Sequence, residues 1–442
     1  MSTCHSQARL RAVAALALLV LSACGQDSGV APNDDPRPNL TVVNDPAALA
    51  GRMEAIPAAA VTMSLRSTPD GLMGLSSLDD ETEFVEFVPA ASVRLPEVNG
   101  QRIPATHVLY RNNRAYVSYA SVGGNVLGAV DVFDVTNAAS PVLLSSASFT
   151  TTKVYSMGLS QDGRTLFLGT ATNDTGFATP AVVEALALDT QGRLTANSMR
   201  VSVPSYAVTG VAARGTEVYA TSGTGGALPT GGLTVLDAKT MTIKRSVTLD
   251  DARGVVASSS QTLVVTGGGA GGAMHIYEPN GSKRSTVNTG GLQVEGKATV
   301  AMSNNWGFVS LGAQGARMIR VSGKIESLLN IDPPSATGLA DPADAVTNAI
   351  AIADLRPVLS DWTVVPSLIG FVFTADGGAG VRVWVSDYPI TPQTGRPELY
   401  RIGSLGQNGG LAGSVNMIGA SDKSLLVANG MGGLRLFAYG LR

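Results

Sequence analysis

The chain contains few of the residues on which enzymes and disulfide-bonded secreted proteins usually depend. Its 442 residues include only 2 cysteines and 3 histidines, and charged residues make up 15%, below the ~25% of an average globular protein. One cysteine, Cys4, lies in the first few residues, so the remainder can form no internal disulfide and depends on a large core for stability. The 31 basic and 34 acidic residues argue against a nucleic-acid-binding surface, which needs clustered positive charge.

Long apolar segments are scarce too. The run over residues 12–21 follows Arg9 and Arg11 and precedes small residues, an order typical of a secretory signal. The run is too short for a stable membrane span, which takes roughly 20 residues. The letters Leu21-Ser22-Ala23-Cys24 resemble the lipobox of bacterial lipoproteins. This resemblance implies a signal peptide over 1–23 and a diacylglycerol on Cys24; the alternative is an ordinary signal peptide cut after Ala23, with Cys24 unmodified.

The resemblance to lipoproteins also implies a location. A single acyl chain binds a bilayer only marginally, with a constant of about 10⁴ M⁻¹, so the several chains that the resemblance implies would make attachment permanent. In that family, aspartate directly after the cysteine favours retention in the inner membrane. This chain has Gly25 there, so we expect an exported, lipid-anchored protein of the cell envelope, with the outer membrane favoured.

The residues after the lipobox predict little regular structure. Residues 24–40 are rich in proline, glycine, asparagine and aspartate, and such a segment cannot bury enough apolar surface to order itself. We therefore predict a flexible tether over 24–40, followed by an irregular segment over 41–83. Within that segment, Asp45 and Pro46 could begin a short helix or belong to a packed loop.

One short pattern recurs through the rest of the chain: a glycine or alanine, alternating apolar residues, and often an acidic residue before a turn. The copies begin at Gly128, Ala181, Gly231, Gly271, Gly315, Ala379 and Gly432. They start roughly 40 to 64 residues apart, close to the length of four-stranded propeller blades, about 40 to 50 residues. A second alternating segment precedes each copy, usually after a polar turn such as Asn112-Asn113, and period-two alternation predicts strands joined by hairpins.

These units predict an all-β fold: a seven-bladed β-propeller of four-stranded antiparallel blades over residues 84–442, with repeats from about Thr106. One such unit cannot bury both of its faces, so the units must stack, and a ring leaves none uncapped. The last unit stops one strand short. We predict that residues 84–95, FVEFVPAASVRL, supply the missing outer strand and close the ring. The sixth unit carries inserts at 330–346 and 355–367, and loops of that length are often functional.

The letters GAVDVFDVTNAASPVLL from Gly128 resemble the repeat of LVIVD-type propeller proteins, and GGLTVLDAKTMTIKRSVTL from Gly231 is similar to the YVTN-type repeat of surface-layer propellers. The resemblance covers roughly residues 106–442. The fifth unit departs from the pattern, since Ser322 replaces the acidic residue, and the seventh lacks both the acid and the proline. The resemblance implies a binding or scaffold module and does not imply a ligand.

Catalytic and cofactor motifs are weak. Gly267, Gly269 and Gly272 fit a G-x-G-x-x-G spacing, but a phosphate cradle needs a following helix and the pattern here predicts another strand. His107, on a predicted inner strand, could line the central channel or have a purely structural role. The acidic run at residues 79–83 lacks the spacing of a calcium loop. We therefore predict no catalytic residues, no metal site and no cofactor.

One surface remains as a candidate binding site. In a propeller, the hairpins between second and third strands and the links between blades emerge on one face. The polar residues expected on that face are Asn173, Asp174, Asp332, Asp341, Asp344 and Asp376. We predict that a monomeric, membrane-anchored lipoprotein uses this face to bind an envelope protein or a glycan, although these residues could also be soluble turns. The alternative function is a propeller hydrolase of lactonase type, which needs histidine, arginine and acidic side chains converging in the channel.

Overall fold

The computed structural model describes residues 37–56, 59–64, 84–224, 228, 230–267, 271–290, 298–303, 305–354, 368–387, 398–406, 410–411 and 413–441. These residues form a seven-bladed β-propeller of antiparallel blades, which confirms the predicted fold class. Each of the seven repeat copies found in the sequence is the third strand of one blade.

The elements follow the order that the repeats predict. Before the first blade lie β1 (Leu40–Val43), α1 (Pro46–Ala50), β2 (Met53–Glu54), β3 (Val61–Ser64), β4 (Phe84–Val93), β5 (Glu97–Val98) and β6 (Gln101–Arg102). Blade 1 consists of β7 (Ala105–Arg111), β8 (Arg114–Ala120), β9 (Gly128–Asp134) and β10 (Val142–Phe149). Blade 2 consists of β11 (Thr152–Leu159), β12 (Thr165–Thr172), β13 (Ala181–Leu188) and β14 (Leu194–Ser202). Blade 3 consists of β15 (Val208–Arg214), β16 (Glu217–Ser222), β17 (Gly232–Asp237) and β18 (Ile243–Thr248).

The remaining blades repeat the arrangement. Blade 4 consists of β19 (Ala252–Ala257), β20 (Thr262–Thr266), β21 (Gly272–Tyr277) and β22 (Lys283–Gly290). Blade 5 consists of β23 (Val300–Ser303), β24 (Trp306–Ser310), β25 (Ala316–Arg320) and β26 (Glu326–Ile331). Blade 6 consists of β27 (Ala349–Asp354), β28 (Leu368–Ala375), β29 (Val381–Asp387) and β30 (Glu398–Leu405). Blade 7 contributes β31 (Met417–Ala420), β32 (Ser424–Ala428) and β33 (Leu434–Leu441), and short 3₁₀ turns occur at Pro342–Asp344 and Gly430–Gly432.

Strand direction defines two faces of the ring. The links between blades and the hairpins between second and third strands lie on one face, which we call the upper face. The other hairpins lie on the lower face. The polar turn Asn112-Asn113 is a lower-face hairpin, and both residues have positive φ, 53° and 57°, as a two-residue hairpin turn of type I′ requires.

In several repeats the glycine at the first or second position is required by a close approach of the outer strand. Gly315 and Gly433 have φ of 75° and 85°, a left-handed conformation that strains other residues. A Cβ on Gly315 would overlap the carbonyl oxygen of Ile331, and one on Gly433 would overlap that of Val93. The repeated glycine therefore marks the point where the backbone of the third strand comes into close contact with that of the outer strand.

The predicted ring closure is confirmed. The strand β4 pairs antiparallel with β33, from Leu434 opposite Val93 to Leu441 opposite Val85, and ends at Val93 rather than at the predicted residue 95. Its side chain Phe87 is fully buried and packs edge-on against Phe373 of blade 6, with ring centroids 6.1 Å apart. Closure thus buries apolar surface between blades as well as adding a strand.

Residues 37–56 and 59–64, before the closing strand, form more regular structure than the sequence predicts. The strand β1 pairs with β10 as a fifth strand of blade 1, and β2 and β3 pair with the outer edge of β4. The short helix α1 forms, with the Asp45 carboxylate accepting a hydrogen bond from the Ala47 amide at 3.0 Å. The predicted tether is also too long at its end, because residues 37–39 are already bound to the ring. No helix among the described residues is long and apolar enough to cross a membrane.

Hydroxyl groups join several neighbouring blades at the inner strands. The Thr106 hydroxyl donates to the Val154 carbonyl of blade 2 at 2.6 Å, and the Thr209 hydroxyl donates to the Ala252 carbonyl of blade 4 at 2.8 Å. These bonds satisfy polar groups that inter-blade packing would otherwise bury unpaired.

Candidate functional site

The central channel is lined mainly by small apolar residues. The inner strands of all seven blades enclose a cavity of about 370 Å³. Most of its wall is valine, alanine, glycine and isoleucine, and its ionisable lining residues are His107, Tyr110, Arg111 and Arg253. The wall of the channel can make apolar contacts with a ligand, and it can form hydrogen bonds at only a few positions.

Polar side chains gather at the upper mouth of this channel. A second cavity of about 290 Å³ opens there, close to the lower limit of ligand pockets, about 300 Å³. The residues that line it are Thr106, His107, Tyr155, Ala207, Thr209, Asp251, Arg253, Ala298, Thr299 and Met417. Its ionisable lining residues are His107, Tyr155, Asp251 and Arg253.

An ion pair of blade 4 lines this mouth. The Arg253 guanidinium donates to one Asp251 carboxylate oxygen through Nε at 2.9 Å and through Nη2 at 2.6 Å. Asp251 lies in the link before β19 and Arg253 in the strand itself, so the backbone places both at the upper end of the channel. The pair offers acceptor and donor groups side by side.

Gly267 makes room for this pair. A Cβ at Gly267 would overlap the Asp251 carboxylate and lie 2.5 Å from Arg253 Nε. Gly267 follows β20, and β21 begins at Gly272, so the G-x-G-x-x-G spacing leads to a strand, as the sequence predicts. Residues 268–270 of that loop lie outside the described residues.

The two histidines of the ring have different surroundings. His107 lines both the channel and its upper mouth, as one of the two sequence interpretations has it. His275 lies between two threonines, with Nε2 3.2 Å from the Thr266 hydroxyl and Nδ1 3.2 Å from that of Thr286. Burial, and the nearby charge of Lys283, lower the pKa of His275. His275 is a structural side chain.

The six residues of the predicted binding face all belong to upper-face loops, but they do not form one site. Asn173 and Asp174 lie in the hairpin of blade 2, whereas the other four lie in the link from blade 5 to blade 6 or in the hairpin of blade 6. Asn173, Asp332 and Asp341 are exposed. Asp341 caps the 3₁₀ turn by accepting from the Ala343 amide at 3.0 Å, and Asp344 accepts from the Ser414 hydroxyl at 2.8 Å.

For Asp376 the structure corrects the sequence prediction of a surface residue. The side chain is fully buried, and its carboxylate accepts from Arg382 Nε at 2.6 Å and Nη2 at 3.0 Å. The Thr347 hydroxyl donates to it at 2.6 Å. The Asp376 side chain points inward because Arg382, on the third strand of the same blade, is itself buried and needs a counter-charge. This carboxylate therefore cannot reach a ligand at the surface.

Asp174 belongs to a buried polar cluster between blades 1 and 2. Arg37 Nη1 donates to both oxygens of Glu184 at 2.7 and 2.8 Å, and Arg37 Nη2 donates to Asp174 at 3.0 Å. Arg200 pairs with Asp174 at 2.7 Å. Burial tends to raise the pKa of Asp174, but the Thr151 hydrogen bond and the charges of Arg200 and Arg37 hold that pKa below its usual value.

A second buried cluster lies between blades 7 and 1. Asp131 is fully buried and accepts from Arg52 Nη1 at 2.8 Å, from Arg52 Nη2 at 2.6 Å and from the Tyr119 hydroxyl at 2.7 Å. Burial lowers the pKa of the Arg52 guanidinium, yet the Asp131 carboxylate raises it above its usual value. Burial and the same carboxylate raise the pKa of Tyr119 well above its usual value.

These clusters occupy equivalent places in the ring. The pairing register with the second strand defines equivalent positions on the seven third strands. At one of these positions every blade has a polar residue: Asp131, Glu184, Thr234, His275, Arg317, Arg382 and Arg435. This row was not predicted from the sequence, although the acids of GAVDVF and AVVEAL interrupt otherwise apolar strands. Two of its members take their counter-charge from the N-terminal segment, through Arg37 and Arg52.

Other predicted features stay untested. Cys24 and the insert at 355–367 lie outside the described residues. Among the described residues, no group of three or more histidine, cysteine, aspartate or glutamate side chains could hold a metal ion.

The chain resembles solved structures in fold only. No protein-family model matches it, and no curated protein matches it in sequence. A Bacteroides uniformis protein provisionally assigned as a 6-phosphogluconolactonase is 12% identical, with a TM-score of 0.45, over 72% of this chain and 89% of that one. An auxiliary nutrient-binding protein from Bacteroides ovatus is 11% identical, with a TM-score of 0.35, over 78% of this chain and 99% of that one. PorZ, a surface component of the type IX secretion system of Porphyromonas gingivalis, is 12% identical, with a TM-score of 0.42, over 79% of this chain and 39% of that one.

Proposed function

We propose that this chain is an exported lipoprotein, anchored through lipid on Cys24 and favouring the outer membrane, whose propeller is a binding module. Its ligand, part of an envelope glycan or protein, enters the upper mouth of the channel. The observation that carries the proposal is the concentration of polar side chains at this end of an otherwise mostly apolar channel.

The chemistry of the mouth favours a glycan end over a protein surface. A cavity of about 290 Å³ has room for a sugar unit, whereas a stable protein interface buries about 800 Å² on each partner. A sugar hydroxyl both donates and accepts hydrogen bonds, which matches the adjacent Asp251 and Arg253. Tyr155 and His107 add ring surfaces on which a sugar could pack.

Binding is tested with defined oligosaccharides, including fragments of the peptidoglycan disaccharide, by ligand-observed NMR on the purified protein. We expect Arg253→Ala and Gly267→Ala to abolish binding, the second because its Cβ displaces the ion pair. Gly124→Ala is the matched control, since an added Cβ there meets nothing within 4 Å. If Arg253→Ala and Gly267→Ala bind as well as the unaltered protein, the mouth is not the site.

The anchor is tested independently. Cys24→Ser removes the thiol that would carry the lipid, so we expect the variant to leave the membrane fraction and to lack the mass of the acyl groups. A variant that stays membrane-bound with unchanged mass contradicts the anchor without affecting the binding test.

A hydrolase of lactonase type is the second candidate, because His107, Asp251 and Arg253 line the same mouth. Such an enzyme would use a carboxylate or imidazole to activate water and a cation to stabilise the developing oxyanion. Acid release from a panel of small lactones, followed by pH-stat, tests it. Activity lost in both His107→Ala and Arg253→Ala supports the hydrolase, and activity equal to that of buffer contradicts it.

A further inference from the structure

The chain reaches the ring at a defined point of the upper face. Arg37 and Asn39 both bind the hairpin of blade 2, where Asp174 accepts from Asn39 Nδ2 at 3.0 Å and from Arg37 Nη2 at 3.0 Å. The Thr150 amide, in the link from blade 1 to blade 2, donates to the Asn39 carbonyl at 3.1 Å. The N-terminal segment therefore enters the fold at the upper face, between blades 1 and 2.

Covalent geometry limits the distance from this point to the proposed lipid. Cys24 precedes Arg37 by 13 positions, and a fully extended chain covers at most about 3.3–3.6 Å per residue, or roughly 43–47 Å. The upper face at blades 1 and 2 therefore lies within that distance of any bilayer in which the Cys24 lipid is inserted.

Exposed apolar side chains lie near the same point. Val122 is 76% exposed and Met431 63%, the highest exposures of large apolar side chains in the described part of the chain. They lie in the upper-face hairpins of blades 1 and 7, which are neighbours in the ring, and Tyr206, 43% exposed, lies in the link from blade 2 to blade 3. We call these three residues the apolar sector.

Charge separates this sector from the opposite side of the ring. Lys153 Nζ lies beside the Val122 hairpin and donates to the Gly123 carbonyl at 2.7 Å. In the β5–β6 hairpin, Glu97 lies opposite Arg102, so the charges of Glu97 and Arg102 offset each other. The exposed carboxylates Asp332 and Asp341 lie in the link from blade 5 to blade 6. An anionic lipid surface attracts the first side and repels the second.

We propose that the apolar sector rests on the surface of the bilayer that holds the Cys24 lipid, so that the propeller is tilted with blades 7, 1 and 2 towards the lipid headgroups. The proposal depends on the lipid anchor proposed above. Shallow apolar contacts supplement a lipid anchor because both remove apolar surface from water. The acidic link between blades 5 and 6 then points away from the membrane.

The experiment uses the full lipoprotein in vesicles of phosphatidylethanolamine and phosphatidylglycerol that contain a nitroxide headgroup lipid. Cys24 and Cys4 are the only cysteines in the sequence, so once Cys24 is lipidated and residues 1–23 are removed, an added cysteine is the only free thiol. Val122→Cys and Met431→Cys carry an environment-sensitive fluorophore. Thr216→Cys, exposed in the lower-face hairpin of blade 3, is the matched control.

We expect several-fold stronger quenching at positions 122 and 431 than at position 216. Equal quenching at all three positions, stronger quenching at 216, or absence of quenching at 122 and 431 overturns the orientation. Mass spectrometry and vesicle flotation of the same samples report separately on the lipid: if Cys24 is unmodified, the anchor itself is wrong, and the orientation fails with it.

Discussion

Removing Arg52 should destabilise the propeller more than removing any single surface charge. Asp131 is fully buried, and Arg52, with 19% of its side chain exposed, is its ionic partner at 2.6 Å. Breaking a buried ion pair from one side costs about 3–5 kcal/mol, because the remaining charge is left uncompensated. Partial exposure of Arg52 lets water approach, so we expect Arg52→Ala to lower the free energy of unfolding by about 3 kcal/mol, at the low end of that range.

The assay is urea unfolding of the purified protein, followed by both tryptophan fluorescence and far-UV circular dichroism. Urea is preferred because an ionic denaturant screens charges, and coincident transitions justify a two-state free energy. Arg193→Ala is the control: its pair with Asp189 spans 2.7 Å, with 36% and 26% of the side chains exposed, and exposed pairs contribute about 0–1 kcal/mol. The variant Asp131→Asn and the double variant complete a thermodynamic cycle.

We expect the cycle to show a coupling energy in the upper part of the usual range of about 0.5–3 kcal/mol, since the asparagine that replaces Asp131 in the double variant carries no charge to be left buried. If Arg52→Ala loses no more stability than Arg193→Ala, the N-terminal segment does not neutralise Asp131 in solution, and the reasoning about buried clusters is refuted.

Three further predictions concern a strained glycine, a buried aromatic side chain and a carboxylate with a lowered pKa. Gly433→Ala should lose about 2–4 kcal/mol, from left-handed strain and overlap with Val93, while Gly124→Ala should stay near neutral in the same urea assay. Phe87→Ala should lose about 3–5 kcal/mol and Phe84→Ala, on the same strand but 41% exposed, much less; equal losses would show that β4 does not close the ring. The pKa of Asp174 is lowered in the folded state, so its contribution to stability is present above the unfolded pKa of about 3.9 and is lost as the pH falls through the folded value. Asp174→Asn should therefore lose less stability than the unaltered protein when the pH is lowered from about 6 to about 3, and identical losses would contradict the contribution of that carboxylate.

The strands and their order could be predicted from the sequence because they follow from local patterns. Alternating residues set each strand, polar turns such as Asn112-Asn113 set the hairpins, and the incomplete last unit required an added strand, which β4 supplies. These features depend on residues close in sequence or on simple counting of strands. A ring of similar units leaves few alternative arrangements.

The N-terminal segment could not be predicted in the same way. Arg37 lies 147 positions from Glu184, and Arg52 lies 79 positions from Asp131, and no local pattern connects them. Composition alone made residues 37–39 part of the predicted tether, since residues 24–40 have few apolar side chains to bury. For Asp376, the hairpin position predicted exposure, whereas the buried Arg382 opposite decides where the carboxylate points.

The row of polar residues on the third strands explains why the N-terminal segment is part of the propeller rather than an addition to it. Blades 5 to 7 carry arginine at this position and blades 1 and 2 carry acids. A buried carboxylate without a cation is unstable. Arg52 supplies the cation for Asp131, and Arg37 together with Arg200 of blade 2 supplies it for Glu184. A segment that carries a lipid on Cys24 would then be held to the ring by the buried ion pairs of Arg37 and Arg52. The point at which this segment joins the ring is therefore fixed on the upper face. That fixed attachment, rather than the length of the preceding segment alone, is what would allow the membrane to select one orientation of the ring.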